Sequence, residues 1–582
     1  MRTKELNKKK LAPSNCFFYL ALNKHKKISK KMLFSLLLSL SVFLLYTSAL
    51  DNSLGRTPLL GFNSWNIFAC SVNETKMRTT MDAFVSLGLR DAGYDTVSVD
   101  DCWVHSRDSH GAPVADPSSF PNGMAALATY AHDRSLKFGL YSSNSPLTCD
   151  QRPGSFGYET IDAQTYAEWG VDLLKYDNCG DQHTIGPPER GYSVMRDALN
   201  ATGRPIFFSA CEWAVDFPST WMMPVANQWR TTYDIQNLWE CVVPHVDWQN
   251  VFADYFGPGG FGDMDILEVG NGVLTPDEGK AHFSLWAVMK SPLLIGCDLT
   301  TSDCISNVTL FTNPEMLAIS QDKLGLPARR VWSIGDKGLP YGKSGVCGTE
   351  ELPQNTIIQP CDSTDPFQIW KLETNGSIIS QATNECLQLD SGQGGHCSQN
   401  WDVWTNNVAS SLCNDPASSC GGRQEFWSYD ATARTLVNNA SGQCLTVHSA
   451  LINVGTLPCD ISRQGMQTWD WVSSTQQFIS SVTPSSGIKS CLARTKDVLG
   501  GAEEIFAGPL SGGDVVILFF NRNVQGYTNI TADFGFIPGL GAGKSAKIRD
   551  VWERTDLGTV TGSITATSVP PHGVAVYRAT PL

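Results

Sequence analysis

Between residues 57 and 330, short apolar runs that end in polar residues alternate with longer segments whose apolar residues recur at helical spacing. A short apolar run of this kind is typical of a strand buried on both faces, as the strands of a parallel sheet are. The eight runs, in chain order, are LLGFNSW, YDTVSVDDCW, KFGLYSS, VDLLKYDNC, IFFSACEW, QWRTTYDI, FGDMDILEVG and SPLLIGCDL. Eight such units predict a (β/α)8 TIM barrel over residues 50–330, with the carboxyl ends of all its strands at one face.

The rest of the chain has a different pattern. Residues 342–475 contain short strand-like runs, many Gly, Ser, Asn and Thr residues, and closely spaced cysteines, which predict an all-β domain. Residues 485–582 return to longer strand-like pieces, including GGDVVILFFNRN and GVAVYRA, which predict a C-terminal antiparallel β-sandwich. We expect residues 331–341 to begin that sandwich, so that the all-β domain interrupts it.

The N-terminus predicts export. Residues 1–31 form a basic extension with ten Lys/Arg against one Glu, and residues 32–49 are uncharged and mostly apolar. The apolar core, residues 33–46, is short for a membrane span, and the small residues Thr47, Ser48 and Ala49 follow it, so residues 32–49 are typical of a signal peptide. Met1 and Met32 are both possible starts, and a single-pass anchor is the alternative to secretion.

Charge, cysteine content and glycosylation sequons agree with a secreted protein. The net charge of the whole chain is −14, and the first 50 residues contribute +9 to it, so the remaining residues carry a net charge of −23. This acidic balance argues against nucleic acid or an anionic membrane as a partner. The eighteen cysteines show no zinc-type spacing and favour disulfides. Six Asn-x-Ser/Thr sites lie at Asn73, Asn200, Asn307, Asn375, Asn439 and Asn529.

Charged residues collect at the predicted strand ends of the barrel. One carboxylate in such a place is usually a helix cap or an ion-pair partner, but burying a whole set without a function would be very costly. The set comprises Asp100, Asp101, Lys175, Asp177, Glu212, Arg230, Asp234 and Asp265. Paired carboxylates in a secreted barrel favour glycoside hydrolysis, a reaction that needs no metal and no organic cofactor.

The barrel motifs resemble a known family. LLGFNSWN, VDDCW, KFGLYSS, WGVDLLKYDNCG, CEW, WRTTYDI, GPGGFGDMDIL and KSPLLIGCDL occur in the order found in the melibiase or α-galactosidase family, glycoside hydrolase family 27. The resemblance covers residues 55–335 and resumes near residue 506.

The resemblance implies a catalytic pair. Asp177, in the family's K-[YF]-D-x-C block, is expected to be the nucleophile, and Asp234, at the end of the W-R-x-x-x-D block, the acid/base. A carboxyl separation of about 5 to 5.5 Å would give retention of configuration. Lys175 lies two residues before Asp177 on the same strand face and is expected to hold it ionised.

The resemblance also implies how the sugar is bound. Asp100 and Asp101 would accept hydrogen bonds from the O4 and O6 hydroxyls, and Trp65 and Tyr141 would line the ring. Arg230 would reach the far side of the sugar.

Three further expectations concern the cavity wall. Asp265 would close the wall beside Asp234. Glu212 in CEW would accept from the 2-hydroxyl and so favour galactose over N-acetylgalactosamine. The family pattern further implies disulfides between Cys70 and Cys102, and between Cys149 and Cys179.

Two positions depart from the family pattern. The family commonly has Asp-Pro-Asp-Met where this chain reads Asp263-Met264-Asp265-Ile266, so Met264 takes the place of the proline. Ala214 follows Trp213 where related enzymes often have glycine. Neither position removes a catalytic group, and both leave discrimination from β-L-arabinopyranosides open.

Residues 342–475 resemble a ricin-type β-trefoil lectin domain, with Gln-x-Trp signatures ending at Trp370 and Trp469 and a variant, QEFW, ending at Trp427. A sugar site in the second lobe would use Asp390 with Trp401 or Trp404. The third lobe has His448 where the acid would stand. The domain could therefore bind a polysaccharide through one lobe or none.

Spacing predicts further disulfides, and leaves Cys211, Cys241 and Cys491 unassigned. The predicted pairs are Cys347 with Cys361, Cys386 with Cys397, Cys413 with Cys420, Cys444 with Cys459, and Cys297 with Cys304.

The leading hypothesis is a secreted retaining α-galactosidase acting on galacto-oligosaccharides or galactomannan, without a membrane partner in its mature form. An α-N-acetylgalactosaminidase or β-L-arabinopyranosidase of the same family is the alternative within this class. A non-catalytic carbohydrate-binding protein is the alternative from another class.

Overall fold

The computed structural model describes most of residues 50–582. The segments outside the description are 1–49, 51, 180–187, 215–217, 335–353, 362, 365, 383, 390–407, 413–425, 440–441, 448–453, 458, 460–466, 482–489 and 495–501. The predicted signal peptide therefore lies outside the described residues.

The eight predicted strand runs form one parallel barrel, which confirms the predicted fold class. The strands are β1 (Leu60–Asn63), β2 (Thr96–Ser98), β3 (Lys137–Ser143), β4 (Leu173–Asp177), β5 (Phe207–Cys211), β6 (Gln228–Arg230), β7 (Phe261–Asp263) and β8 (Leu293–Ile295). They pair in the order β8-β1-β2-β3-β4-β5-β6-β7. The Leu267 backbone N–H, just after β7, donates to the Leu294 carbonyl in β8 at 2.8 Å and closes the ring.

Helices between the strands cover the barrel. The longer ones are α1 (Glu74–Ser86), α2 (Gly123–His132), α3 (Glu159–Trp169), α4 (Pro188–Ala201), α5 (Trp239–Phe252) and α6 (Pro276–Val288). Short helices lie at Trp65–Phe68, Ser302–Ser306, Val308–Phe311 and Pro314–Ser320, with 3-10 turns at Ala69–Ser71, Pro218–Thr220 and Ala253–Tyr255. A hairpin of Val104–Arg107 and Pro113–Ala115 follows β2.

Local sequence explains where α6 begins. The Thr275 side chain accepts from the Glu278 backbone N–H, the Glu278 carboxylate accepts from the Thr275 backbone N–H, and Pro276 occupies the first turn. This is a complete capping box with a proline whose missing N–H costs nothing. The helix start matters because α6 supports the loop after β7.

The trefoil domain is built on three tryptophans. Trp370, Trp427 and Trp469 share a core, and their indole N–H groups donate to the carbonyls of Leu492, Leu387 and Leu445 at 3.0, 2.8 and 2.9 Å. The equivalent role of the three indoles is the structural counterpart of the Gln-x-Trp signatures. The strands are Gln354–Pro360, Trp370–Leu372, Ile378–Ser380, Glu385–Leu389, Val408–Leu412, Trp427–Asp430, Thr435–Asn438, Cys444–Val447, Val454–Leu457, Trp469–Val472, Gln477–Ser480 and Ser490–Arg494.

The C-terminal domain is an antiparallel β-sandwich. Its first strand, Arg329–Ile334, pairs with Glu503–Pro509 on the far side of the trefoil in sequence. The remaining strands are Val515–Asn521, Thr528–Asp533, Ser545–Asp550, Thr555–Thr561, Ser563–Val569 and Val574–Pro581, with a 3-10 turn at Phe534–Phe536. No helix in the described part of the chain has the length and apolar character needed to cross a membrane.

A buried ion network joins the barrel to this sandwich. Arg522 donates to Asp247 on α5 at 3.0 and 3.1 Å and to Glu504 at 3.1 Å. Arg330 also contacts Asp247, and its Nε lies 2.7 Å from Glu504. All four side chains are buried, so each charge depends on the others for compensation.

One expected disulfide is wrong. Cys361 pairs with Cys491, with Cα atoms 4.9 Å apart, and not with Cys347. The strand ending at Pro360 pairs antiparallel with Ser490–Arg494, which brings the two cysteines together across 130 residues of sequence. Local spacing could not reveal such a contact.

The other described cysteines are accounted for. Bridges join Cys70 to Cys102, Cys149 to Cys179, Cys297 to Cys304 and Cys444 to Cys459. Cys241 and Cys386 are disulfide-bonded, and Cys211 is a buried free thiol. Cys347, Cys397, Cys413 and Cys420 lie outside the described residues.

Candidate active site

A cavity of about 470 Å³ opens where the barrel strands end. It is lined by Trp65, Asn66, Ile67, Ala69, Asp100, Asp101, Tyr141, Cys149, Lys175, Asp177, Trp213, Arg230, Asp234, Ile235, Gln236, Asn237, Asp265, Ile266, Glu268 and Asn271. The structure thus brings together every predicted catalytic and sugar-binding residue except Glu212.

Asp177 is the last residue of β4 and is almost fully buried. Its carboxylate accepts from the Tyr141 hydroxyl at 3.0 Å through one oxygen and from the Asn178 backbone N–H at 2.9 Å through the other. Burial raises the pKa of Asp177 to about 6, with Lys175 opposing the rise and Asp234 adding to it. The two hydrogen bonds fix the carboxylate in one orientation at the cavity floor.

Lys175 projects from the same face of β4 because side chains alternate along a strand. Its ammonium donates to Asp100 at 2.8 Å, and Asn63 donates to the same oxygen at 2.7 Å. Burial alone would lower the pKa of Lys175, but Asp100, Cys211 and Asp177 raise it, so the side chain stays charged. The cation is therefore shared between Asp100 and the nucleophile candidate.

Asp101 is held by loop backbone. One oxygen accepts from the Cys102 N–H at 2.6 Å and the other from the Asp150 N–H at 3.1 Å. The Cys70–Cys102 and Cys149–Cys179 bridges tie down the loops that carry these groups. The loops after β1, β2, β3 and β4 are thereby fixed around one side of the cavity.

Arg230 lies between two carboxylates on the opposite side. Its guanidinium donates to Asp234 at 3.0 Å and lies 2.9 Å from Asp265. Asp265 also accepts from the Ile235 and Ile266 N–H groups, each at 2.8 Å. Burial nevertheless raises the pKa of Asp265 to about 6, against the pull of Arg230.

The surroundings of Asp234 favour its ionised form. Partial burial would raise its pKa, but Arg230 and Lys175 outweigh that effect and the pKa lies below its ordinary value. The side chain is 66% exposed and faces the cavity mouth. A general acid must carry a proton, so the resting charge state is the reverse of the one that its expected role in the first step requires.

Backbone strain collects at this site. Asp265 has a φ of 81°, in the left-handed region that non-glycine residues rarely adopt, and the Trp286 indole holds its carbonyl at 2.9 Å. Ala214, which stands where relatives often have glycine, has a φ of 64°. The family's glycine preference there has a direct conformational reason.

Met264 makes a contact that proline could not make. Its backbone N–H donates to the Ser291 hydroxyl at 2.9 Å. Proline has no N–H, so this hydrogen bond is specific to the departure from the Asp-Pro-Asp-Met pattern.

Glu212 follows β5, is 0% exposed, and is not part of the cavity lining, whereas its neighbour Trp213 is. Its expected contact with the 2-hydroxyl of a sugar stays a prediction.

Sequence reasoning missed five polar residues of the wall: Asn66, Gln236, Asn237, Glu268 and Asn271. Asn66 lies in the short helix Trp65–Phe68 and the other four lie in the loops after β6 and β7, so none stands at a strand end. Asn66 and Glu268 do fall within two of the quoted runs, LLGFNSWN and FGDMDILEVG, which was the only available signal. The predicted lectin residues Asp390, Trp401 and Trp404 lie outside the described residues.

Comparison with known proteins decides the family. Residues 57–322 match the α-galactosidase A family, 500–579 the α-galactosidase C-terminal β-sandwich domain, and 342–469 the ricin-type β-trefoil lectin domain. α-Galactosidase 3 of Arabidopsis thaliana is 45% identical over 333 residues, which cover 56% of this chain and 76% of that protein. The chain belongs to the α-galactosidase family.

Other α-galactosidase relatives support this assignment. α-Galactosidase of Cyamopsis tetragonoloba is 48% identical over 288 residues, which cover 49% of this chain and 69% of that protein. α-Galactosidase from Saccharomyces cerevisiae superposes with a TM-score of 0.59 at 25% identity, over 92% of this chain and all of that one. α-Galactosidase I from Mortierella vinacea superposes with a TM-score of 0.60 at 24% identity, over 91% of this chain and 98% of that one, which shows a shared fold. This α-galactosidase family member is a glycoside hydrolase with an additional lectin-type domain.

Proposed function

We propose that the protein is a secreted, retaining α-galactosidase that releases terminal α-linked galactose from oligosaccharides and galactomannans. The observation that carries the proposal is the placement of Asp177 and Asp234 on one cavity, the first buried and oriented by Tyr141, the second exposed at the mouth. A rigid inner carboxylate suits a nucleophile, and an outer one suits proton exchange with a leaving group and with water.

In the first step, an Asp177 oxygen attacks the anomeric carbon as the bond to the leaving oxygen breaks. Asp234 transfers its proton to that oxygen, so the leaving group departs neutral and the sugar is left as an ester of Asp177. Tyr141 donates to the Asp177 oxygen at 3.0 Å and thereby sets the carboxylate plane before attack.

In the second step, Asp234 takes a proton from water, whose oxygen attacks the anomeric carbon and displaces Asp177. Esterification of Asp177 has by then removed a negative charge that would raise the pKa of Asp234. The Arg230 contact at 3.0 Å favours the same ionised state. The geometry of the site therefore suits Asp234 as the base of the second step. To act as the acid of the first step, Asp234 must carry the proton that it shares with Asp177.

Two displacements at one carbon give net retention of configuration. Lys175 and Asp100, joined at 2.8 Å, offer the sugar hydroxyls a donor and an acceptor on the inner wall. The preference for a 2-hydroxyl rests on the α-galactosidase names of the relatives.

Secretion is supported by surface chemistry. The sequon side chains of Asn200, Asn375, Asn439 and Asn529 are exposed, and those of Asn73 and Asn307 are half-buried at helix ends. Five described disulfides suit an oxidising compartment. The trefoil domain would hold the enzyme to a polysaccharide substrate.

The proposal is tested by hydrolysis of p-nitrophenyl α-D-galactopyranoside, its 2-acetamido analogue and p-nitrophenyl β-L-arabinopyranoside. Wild-type protein is expected to prefer the first, and Asp177→Asn to lose activity while remaining folded. Asp197→Asn, at an exposed position on α4, is the matched control. Preference for either other substrate would replace galactose as the substrate, and inactivity of folded wild-type protein on all three would overturn the proposal.

A further inference from the structure

Part of the cavity lining has no role in the proposed reaction. The groups expected to hold galactose are Asp100, Lys175 and Asp177. The loops after β1, β6 and β7 contribute Asn66, Ile67, Asn237, Glu268 and Asn271, which we call the outer wall. Because Asn237 is three residues from Asp234 in sequence, we expect a leaving group that takes its proton from Asp234 to lie against this outer wall.

Glu268 is the fixed centre of that wall. Asn66 donates to one of its carboxylate oxygens at 2.7 Å and Asn271 to the other at 2.5 Å. The residue is 4% exposed, so its orientation is set by these amides rather than by solvent. A carboxylate held at both oxygens is pre-organised for recognition.

Further hydrogen bonds hold the backbone of Glu268 and of Asn271. The Glu268 backbone N–H donates to His282 on α6 at 3.0 Å, and burial lowers the pKa of His282 to about 3, which keeps it a neutral acceptor. The Asn271 carbonyl accepts from the Asn237 amide at 2.9 Å. Three loops are thus linked by one chain of hydrogen bonds that ends three residues from Asp234.

The chemistry of the wall selects a class of ligand. Carboxylate and amide groups suit hydroxyls, and the neighbouring Asp234 and Asp265 disfavour an anionic ligand. The Ile67 side chain, 37% exposed, offers apolar surface to the C–H face of a sugar. Burial raises the pKa of Glu268 to about 7, so at acidic pH the group can donate as well as accept.

We propose that Glu268, with Asn66 and Asn271, forms a leaving-group subsite for a neutral sugar, and that Glu268 determines preference for glycosyl over aryl leaving groups. This inference rests on the proposed function and adds the class of leaving group to it. An aromatic leaving group offers no hydroxyls to the carboxyl group and gains less from it.

The test compares 6-O-α-D-galactosyl-glucose with p-nitrophenyl α-galactoside in wild-type protein and in Glu268→Gln. The ratio of kcat/KM for the disaccharide to that for the aryl substrate is expected to fall about fivefold, the value of one ordinary hydrogen bond. Transfer of galactose to added glucose, relative to water, is expected to fall with it. Glu168→Gln, on the exposed face of α3, is expected to leave both ratios unchanged.

Asn66→Ala is a second variant that keeps the carboxyl group but removes one of its two holders, and a smaller fall in both ratios is expected. Variants that lose both substrates in equal proportion, or that leave the transfer ratio unchanged, would overturn the subsite and make Glu268 a support for the loop alone. Wild-type protein that cleaves neither substrate would instead overturn the proposed function and the subsite with it.

Discussion

The Arg230 guanidinium donates to the Asp234 carboxylate at 3.0 Å and lowers the pKa of the expected acid/base, which favours its ionised form. Meanwhile burial raises the pKa of Asp177, the expected nucleophile, to about 6. The charges of Asp177 and Asp234 interact, so this pair holds one proton between the low pKa of Asp234 and about pH 6, where Asp265 also titrates. The reactive arrangement is a minor one, with that proton on Asp234.

The first prediction concerns the pH profile. The minor arrangement is a constant fraction of the enzyme while the pair holds one proton, and it disappears when the proton is lost. We therefore expect kcat/KM for p-nitrophenyl α-galactoside to fall as pH rises through about 6. Activity that instead increases through pH 6 would show that loss of the Asp177 proton is the activating event.

The second prediction concerns stability. The pKa of Asp177 is raised on folding from about 4, so the folded state binds more protons and the free energy of unfolding falls as pH rises from about 4 to 6. Asparagine does not titrate, so Asp177→Asn removes this pH-dependent loss of stability. At pH 7 we expect the variant to exceed wild type by about 2–3 kcal/mol, and at pH 4 to match it.

Thermal unfolding of both proteins at the two pH values measures this difference. Comparing the variant with wild type at each pH cancels the other titrating groups. An equal stabilisation at pH 4 and pH 7 would mean that the carboxyl group is not desolvated as the structure has it.

The third prediction concerns the junction of barrel and sandwich. Arg522→Met would leave the buried carboxylates of Asp247 and Glu504 with Arg330 as their remaining arginine partner. Breaking a buried ion network by removing one member costs about 3–5 kcal/mol. Denaturant unfolding should show that loss, whereas Arg196→Met, at a surface ion pair, should change stability by less than about 1 kcal/mol.

The fourth prediction concerns the pocket disulfide. Replacing Cys149 and Cys179 together by alanine opens a bridge across 30 residues, between the loops after β3 and β4. Loss of about 3 kcal/mol of stability is expected from chain entropy. We also expect kcat to fall further than it does in control variants of equal stability. The reason is that Cys149 lines the cavity and the Tyr141 hydroxyl lies 3.4 Å from the Cys179 sulfur.

The Cys444–Cys459 pair provides the control for that experiment. It lies in the trefoil and does not line the cavity, and its removal is expected to lower stability without changing kcat. Equal effects of the two double variants on kcat would contradict a local role for the pocket bridge.

Sequence patterns predicted the barrel because each strand appears as a short apolar run followed by charged residues. Such a run reflects the burial of its own strand, so it can be recognised without knowing the contacts between distant segments. The residues at strand ends could be placed on one face for the same reason. Three tryptophans likewise predicted the trefoil, since each indole repeats the same packing.

The features that sequence did not predict depend on contacts between distant segments. The Cys361–Cys491 bridge needs the register of two strands 130 residues apart in the chain. The ionised state of Asp234 follows from the geometry of Arg230, and the position of Glu268 from amides on two different loops.

The most direct measurement is mass spectrometry of the protein after incubation with a fluorinated galactosyl fluoride that forms the covalent intermediate faster than it is hydrolysed. The peptide that contains Asp177 is expected to gain the mass of one fluorogalactosyl group, and Asp177→Asn to gain none. Labelling of another carboxylate, or release of inverted galactose without any label, would contradict the assignment of Asp177 as nucleophile and the retaining mechanism with it.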